Sequence, residues 1–273
     1  MKMKPAVTIS LVPEARGGPF IFWDDLEEGC RKAAKLGFAA VEVFPPGAEA
    51  IDARELSRLL KKHGLALATL GTGGGWIRQR LTLTARSGTV RKQALGFIER
   101  MIDLASPFGA AVIIGSMQGR AEGNVSRSEA LNYLGEALVQ LADYAHKRRV
   151  TVLYEHLNRY ETNLLNRMED VVPFVKPFNG RVKILADLFH MSIEEASIAD
   201  AIRVGGDLIG HVHFADSNRR PAGLGHTDFA PIFAALRKIG YDGYVSAEAF
   251  PYPDSEAAAR QTIAAFRKYM RRK

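Results

Sequence analysis

The stretch HVHFAD at 211–216 alternates as a strand does. Val212 and Phe214 share one face, and His211 and His213 share the other. Three further apolar runs carry a carboxylate with the same parity. In TVLYEHL (151–157), Val152 and Tyr154 oppose Glu155. In VKILADL (182–188), Val182, Ile184 and Ala186 oppose Asp187. In YVSAEAF (244–250), Val245 and Ala247 oppose Ser246 and Glu248. If the apolar faces pack outward, Glu155, Asp187, His213 and Glu248 look at one space. Three carboxylates in a partly desolvated space repel, and their pKa values rise. A divalent cation relieves that conflict. Oxygen-rich donors with one imidazole suit Mn2+, Mg2+ or Co2+ better than a thiolate-seeking metal. The competing reading is a set of polar groups paired with Lys or Arg, because buried charges are either paired or metal-bound. Agreement of parity over four consecutive runs favours the metal. His211, one layer deeper, is expected to hydrogen-bond a ligand carboxylate.

The elements that must position these groups are legible along the whole chain. Eight short apolar runs recur at 7–12, 39–44, 65–71, 110–116, 151–157, 182–188, 209–216 and 244–250. Amphipathic stretches of helical length separate them, such as LEEGCRKAAKLG and YLGEALVQLADYAHKRR. Gly37-Phe38 and Gly240-Tyr241 read as helix ends, where glycine takes the left-handed conformation. Strands alternating with helices imply parallel βα units. Eight units in this length fit a closed (β/α)8 TIM barrel, with function at the C-terminal ends of the strands. A glycine-rich dinucleotide fingerprint after the first strand is absent, which disfavours an open Rossmann sheet. The expectation is a single domain over 1–273.

Composition narrows the class. The chain has 273 residues, 47% hydrophobic and 25% charged, as in soluble globular proteins. The lysines and short apolar run at the start read as a first strand rather than a signal peptide. Cys30 is the only cysteine, which excludes an intrachain disulfide and a thiolate metal cluster. A cytoplasmic enzyme without membrane contact is expected. The net charge of +7 hints at an anionic partner. The cluster of Arg267, Lys268, Arg271, Arg272 and Lys273 nevertheless reads as a solvated helix face rather than a nucleic-acid patch.

At these residues the sequence resembles the sugar isomerase/epimerase superfamily of xylose isomerase-like barrels, and within it the ketose 3-epimerases of the D-tagatose 3-epimerase type. EHLNRYE (155–161), DLFHMSIEE (187–195), HVHFADSNR (211–219), GLGHTDF (223–229) and YVSAEAF (244–250) carry the resemblance. The first half matches only in its strand rhythm and in GFAAVEVF (37–44). The resemblance implies that Glu155, Asp187, His213 and Glu248 bind one divalent ion, Mn2+ foremost. It also implies that Glu161, His190 and Arg219 contact substrate. The structural alternatives are a loop histidine capping the next helix for His190 and a solvated cation for Arg219. Glu161 would accept a substrate hydroxyl or orient Glu155.

The implied reaction is C3 epimerisation of a ketose or keto-sugar acid through a cis-enediolate, with Glu155 and Glu248 as the two bases. His190 and Arg219 would steady substrate oxygens. Aldose–ketose isomerisation of the hydroxypyruvate isomerase kind uses the same chemistry one carbon away. Dehydration of a keto-cyclitol is a further alternative. An endonuclease IV-like nuclease shares the barrel but needs histidines at the ends of strands three and four. LGTGGG and IGSMQGR have none.

Other residues stay open at this point. TGGGWIRQRLTLTARSG (72–88), with Trp76, Arg78 and Arg80, reads as a glycine-hinged lid or as an irregular surface loop. Arg120 with Arg219 and Arg220 would offer a cationic rim for a carboxylate or phosphate. Glu42 lines the pocket or pairs with an arginine. Thr227 or Asp228 caps the following helix, and His226 reaches the site or is merely exposed. The oligomeric state, a dimer or tetramer included, is not fixed by the sequence.

Overall fold

The structure is a computed structural model that describes residues 3–271. Eight parallel strands close into a barrel. They are β1 (Lys4–Ser10), β2 (Ala40–Phe44), β3 (Ala66–Gly71), β4 (Ala111–Ile114), β5 (Val152–Glu155), β6 (Val182–Asp187), β7 (Ile209–His213) and β8 (Tyr244–Ala247). Each pairs with its sequence neighbour, and β1 pairs with β8 through Lys4–Tyr244 to Val7–Ala247. Closure leaves no open edge within this cylinder. A two-residue strand, Phe22–Trp23, pairs in parallel with Ile9 and Ser10 at the end of β1. The sequence pattern did not anticipate it, because two residues show no periodicity.

The expected strands are present, with shifted ends. The first begins at Lys4 and stops at Ser10, before Leu11 and Val12. β4, β5, β7 and β8 end earlier than their apolar runs. Glu248 therefore lies just past β8, in a turn where its N–H donates to Ser246 O at 3.1 Å. Such departures are expected where strands open into functional loops.

Outward faces pack as the parity required. Phe214 is fully buried against Phe229 and Phe233, at centroid distances of 4.9 and 5.5 Å. Inside the barrel, Ala6, Ala40 and Ala68 form a layer of small residues, and Ile113, Leu153 and Leu185 fill another part. These small side chains leave room for the polar layer that includes Glu42 and His211.

Local signals set the helices. Asp25, Asp52, Ser126 and Ser197 each accept a first-turn N–H from the helix that follows, and Ser126 with Glu129 completes a capping box. Asp228 caps the helix Phe229–Lys238 by accepting from Ala230 N–H, so Asp228 rather than Thr227 fills that role. Gly37 and Gly240 take φ of 88° and 74°, as expected for helix ends. Arg267, Lys268 and Arg271 lie on the last helix, Ser255–Arg271, whereas Met1, Lys2, Arg272 and Lys273 lie outside the described residues. Among the described residues no helix is long and apolar enough to cross a membrane.

Candidate metal centre and substrate pocket

Glu155 ends β5, Asp187 ends β6, His213 ends β7 and Glu248 follows β8. One donor atom from each lies within 4.8 Å of the others. Asp187 and His213 are essentially inaccessible, and the Glu248 side chain keeps 12% exposure. Three carboxylates crowd His213 Nδ1: Asp187 Oδ2 at 3.2 Å, Glu155 Oε1 at 3.4 Å and Glu248 Oε2 at 3.6 Å. Such a group of acidic oxygens around one imidazole nitrogen needs positive charge among them. The donor set, three carboxylates and one imidazole, fits a single divalent cation.

The ionisation behaviour of the cluster agrees with this crowding. Burial, with Glu155 and Asp187 adding to it, pushes the Glu248 carboxyl up to about 8 against the pull of His213 and Arg219. Burial also acts against ionisation of Asp187, but the His190 and His213 imidazoles outweigh it and hold its carboxyl low. Burial opposes protonation of His213, yet Glu42 and Glu248 raise it well above the ordinary histidine value.

The other side of His213 was not foreseen. Its Nε2 meets Glu42 Oε1 at 3.1 Å, and His211 Nε2 meets Glu42 Oε2 at 2.9 Å. Glu42 thus bridges two imidazoles and does not pair with an arginine. His211 bonds Glu42, whereas a bond to one of the three clustered carboxylates was expected. Burial raises the cost of this charge, but His213 and His211 hold the Glu42 carboxyl well below the usual range. An anion on Nε2 directs the Nδ1 lone pair of a neutral ring into the cluster. The Glu42→Gln variant is expected to weaken Mn2+ binding by about 10–100-fold, as outer partners of ligating histidines do. Isothermal titration would measure it, and unchanged affinity would contradict the role.

Glu155 owes its placement to a missing side chain. A Cβ on Gly115 would stand 2.3 Å from Glu155 Oε2. Gln118, fully buried, donates from Nε2 to Glu155 O at 2.8 Å and accepts from Tyr154 OH at 2.6 Å. Gly115→Ala should therefore displace the carboxylate rather than the strand. The expected result is a loss of Mn2+ affinity of about tenfold or more, read by the same titration, with the secondary structure retained by circular dichroism.

The residues expected to touch substrate surround the cluster. Arg219, at φ 58°, donates from NH2 to Glu248 Oε2 at 2.9 Å and from NH1 to Glu161 Oε1 at 3.3 Å. Its guanidinium lies over the Phe189 ring, 4.8 Å from the centroid. Asp216, buried and unnoticed in the sequence, locks this loop by accepting from Ser217, Gly223 and Thr227 N–H at 2.8, 2.7 and 3.0 Å. His190 is not a loop cap. It is buried in the helix Leu188–Glu194, which Asp187 caps. Glu161 faces Arg219 and, at 3.9 Å, His190 Nδ1.

A cleft of about 740 Å3, its open mouth included, stands above the cluster. Glu42, Glu155, Glu161, His213, Arg219 and Glu248 line its polar side. Phe20, Phe44 and Ile77 line the other. The segment after β3 is not wholly irregular. Residues Gly74–Gln79 form a short helix, and a Cβ on Gly74 would lie 2.5 Å from Pro45 O. Its glycines serve close packing. Trp76 packs against the core, with Arg80 over its ring at 4.8 Å, and Arg78 pairs with Glu14 at 3.0 Å. The cationic rim does not form either. Arg120 is exposed and outside the cleft, and Arg220 stacks on Tyr252 at 3.9 Å. His226 is exposed on its loop.

The xylose isomerase-like TIM barrel profile matches residues 30–269. The chain belongs to this family. Among curated relatives, a D-psicose 3-epimerase of Agrobacterium fabrum is 32% identical over 86% of this chain and 80% of its own. An L-ribulose 3-epimerase of a Methylomonas species is 30% identical over 86% and 84%. A crystal structure of a D-psicose 3-epimerase obtained in the presence of D-fructose superposes with a TM-score of 0.81. It shares 26% identity, covering 98% of this chain and 99% of the other. Family membership was legible in the second half of the sequence, where the quoted motifs sit. Glu42 does line the cleft, one of its two sequence readings, but its pairing with two histidines was missed, and Asn158 was not singled out. Each contacts a histidine from another βα unit, a relation that local spacing does not display.

Proposed function

We propose that this chain is a divalent-metal-dependent isomerase that epimerises C3 of a neutral ketose in the cytoplasm. The observation that carries this reading is the meeting of two glutamates from β5 and the end of β8 with Asp187 and His213 on one cleft floor. Glu155, Asp187, His213 and Glu248 would hold the ion; this set suits Mn2+, Mg2+ or Co2+, with Mn2+ put foremost by the family resemblance. A bound ion would supply Lewis acidity for the substrate carbonyl and its neighbouring hydroxyl.

The chain's own groups do the rest. One glutamate takes the C3 proton, leaving a cis-enediolate in the substrate. The other returns a proton to the opposite face. Arg219 keeps Glu248 oriented and faces Glu161 across the cleft. His190 and Arg219 would donate to substrate oxygens as negative charge develops. The apolar wall of Phe20, Phe44 and Ile77 excludes water from the distal carbons.

A neutral substrate is favoured over a keto-sugar acid by the charge inventory. Among the described residues Arg219 is the only Lys or Arg lining the cleft, and two glutamates already engage it. A substrate carboxylate or phosphate would find no unpaired cation there. The test is a panel of ketoses, keto-acids and their phosphates in D2O with Mn2+. Deuterium at C3 with inverted configuration in a neutral ketose supports the proposal. Label at C1 would replace it with aldose–ketose isomerisation, and loss of a hydroxyl with dehydration. Turnover confined to acids or phosphates would overturn the substrate class.

A further inference from the structure

We infer that Asn158 is a positioning residue that fixes the tautomer of His190, so that the ring presents an Nε2–H donor to the metal centre. The inference rests on the reading above for what the donor serves, but its geometric basis is independent of it. Two groups of Asn158 converge on His190 Nδ1: the backbone N–H at 3.3 Å and the side-chain Nδ2 at 2.8 Å. A backbone N–H can only donate, so Nδ1 must accept. The side-chain amide agrees. Asn158 Oδ1 accepts from Tyr160 N–H at 3.0 Å, which turns the NH2 toward the ring. A neutral imidazole that accepts at Nδ1 carries its hydrogen on Nε2.

That nitrogen is buried and has no hydrogen-bond partner among the described residues. It stands 3.9 Å from both Glu155 Oε1 and Asp187 Oδ2, near the carboxylates yet beyond hydrogen-bond reach. Buried donors are normally satisfied, so an unpartnered one beside a candidate centre marks a place for an arriving acceptor. An oxygen of the ketose held at the centre is that acceptor. The two segments are fixed from elsewhere. Asn158 O accepts from Glu161 and Thr162 N–H at 3.0 and 3.1 Å, and Asp187 Oδ1 accepts from His190 N–H at 3.1 Å. The ring is therefore clamped on its Nδ1 side and open on its Nε2 side. Asn158 touches no substrate in this scheme and works through His190 alone.

The test pairs a spectroscopic and a kinetic readout. In the Mg2+-loaded, 15N-histidine-labelled protein, His190, identified by the signal lost in His190→Gln, should show an unprotonated Nδ1 and a protonated Nε2. Asn158→Asp, nearly isosteric, replaces a donor by an acceptor and should move the proton to Nδ1 or double-protonate the ring. Its kcat should fall by about 10–100-fold with KM changed less than threefold, as for groups that orient a functional histidine. Asn158→Ala keeps the backbone donor and should lose less. A protonated Nδ1 in the unaltered protein overturns the inference, even if the variants do not fold. So does an Asn158→Asp protein of unchanged kcat. The spectrum needs no substrate. If no ketose is turned over while the Nε2–H tautomer is seen, the failure belongs to the functional reading and not to the clamp.

Discussion

Glu248→Gln is expected to lower kcat by on the order of 10^4-fold at saturating Mn2+, at the upper end of what a single acid–base group contributes. The substitution keeps the shape of the side chain and an oxygen for Arg219, which now donates to Glu248 Oε2 at 2.9 Å. It removes the proton-accepting charge. Metal analysis of the purified variant should show that the ion is largely retained, since Glu155, Asp187 and His213 remain. Glu155→Gln should behave alike. The two variants differ in one respect that makes the assignment testable. Each keeps one base, so each should still exchange the C3 hydrogen of the substrate epimer that presents it to the surviving glutamate. Inversion should be lost in both. A kcat within tenfold of the unaltered enzyme in either variant would refute a two-base reaction.

Removing the metal should have the second-largest effect. Chelation is expected to abolish turnover, and Mn2+ should restore it. The same ion should stabilise the fold. Three carboxylates lie within 3.6 Å of His213 Nδ1, so a cation bound among them favours the native state, where they are gathered. At a hundredfold excess over the dissociation constant, binding contributes about 2.7 kcal/mol. For a chain of this size that corresponds to a rise of about 5–10 °C in Tm. Scanning calorimetry with and without Mn2+ would measure it, and superimposable transitions would remove the metal from the account. Asp187→Ala should lose the Mn2+-dependent increment. It should also lower the metal-free Tm, because Asp187 Oδ1 caps the helix Leu188–Glu194.

The cluster could be read from the sequence because each member follows an apolar run whose parity is unambiguous. Val212 and Phe214 must face the helices, and His213 then has only the interior left. The same logic gave the barrel, since eight alternations of strand and helix leave few closed arrangements. Parity assigns a face but not a partner. Glu42 was seen to point inward, yet its histidines are 169 and 171 residues away. Asn158 stood in a quoted motif, but its partner lies on the next βα unit. The glycines of TGGGW stayed ambiguous for a different reason. A glycine that grants freedom and a glycine that permits crowding look the same in one dimension. Only the contact with Pro45 separates them. Arg120 failed as part of a cationic rim because charge along a chain says nothing of where a long side chain ends.

Asp187 serves two masters with its two oxygens. Oδ1 receives the N–H groups of Phe189 and His190, while Oδ2 reaches into the cluster. The hinge between inorganic chemistry and backbone geometry is thus a single carboxyl group. An ion bound at the cluster would pull on the same carboxyl group that starts the helix bearing His190, so occupancy and the poise of that donor would be mechanically joined. Exchange of one bound ion for another of different radius would then also re-aim the imidazole of His190, three residues downstream.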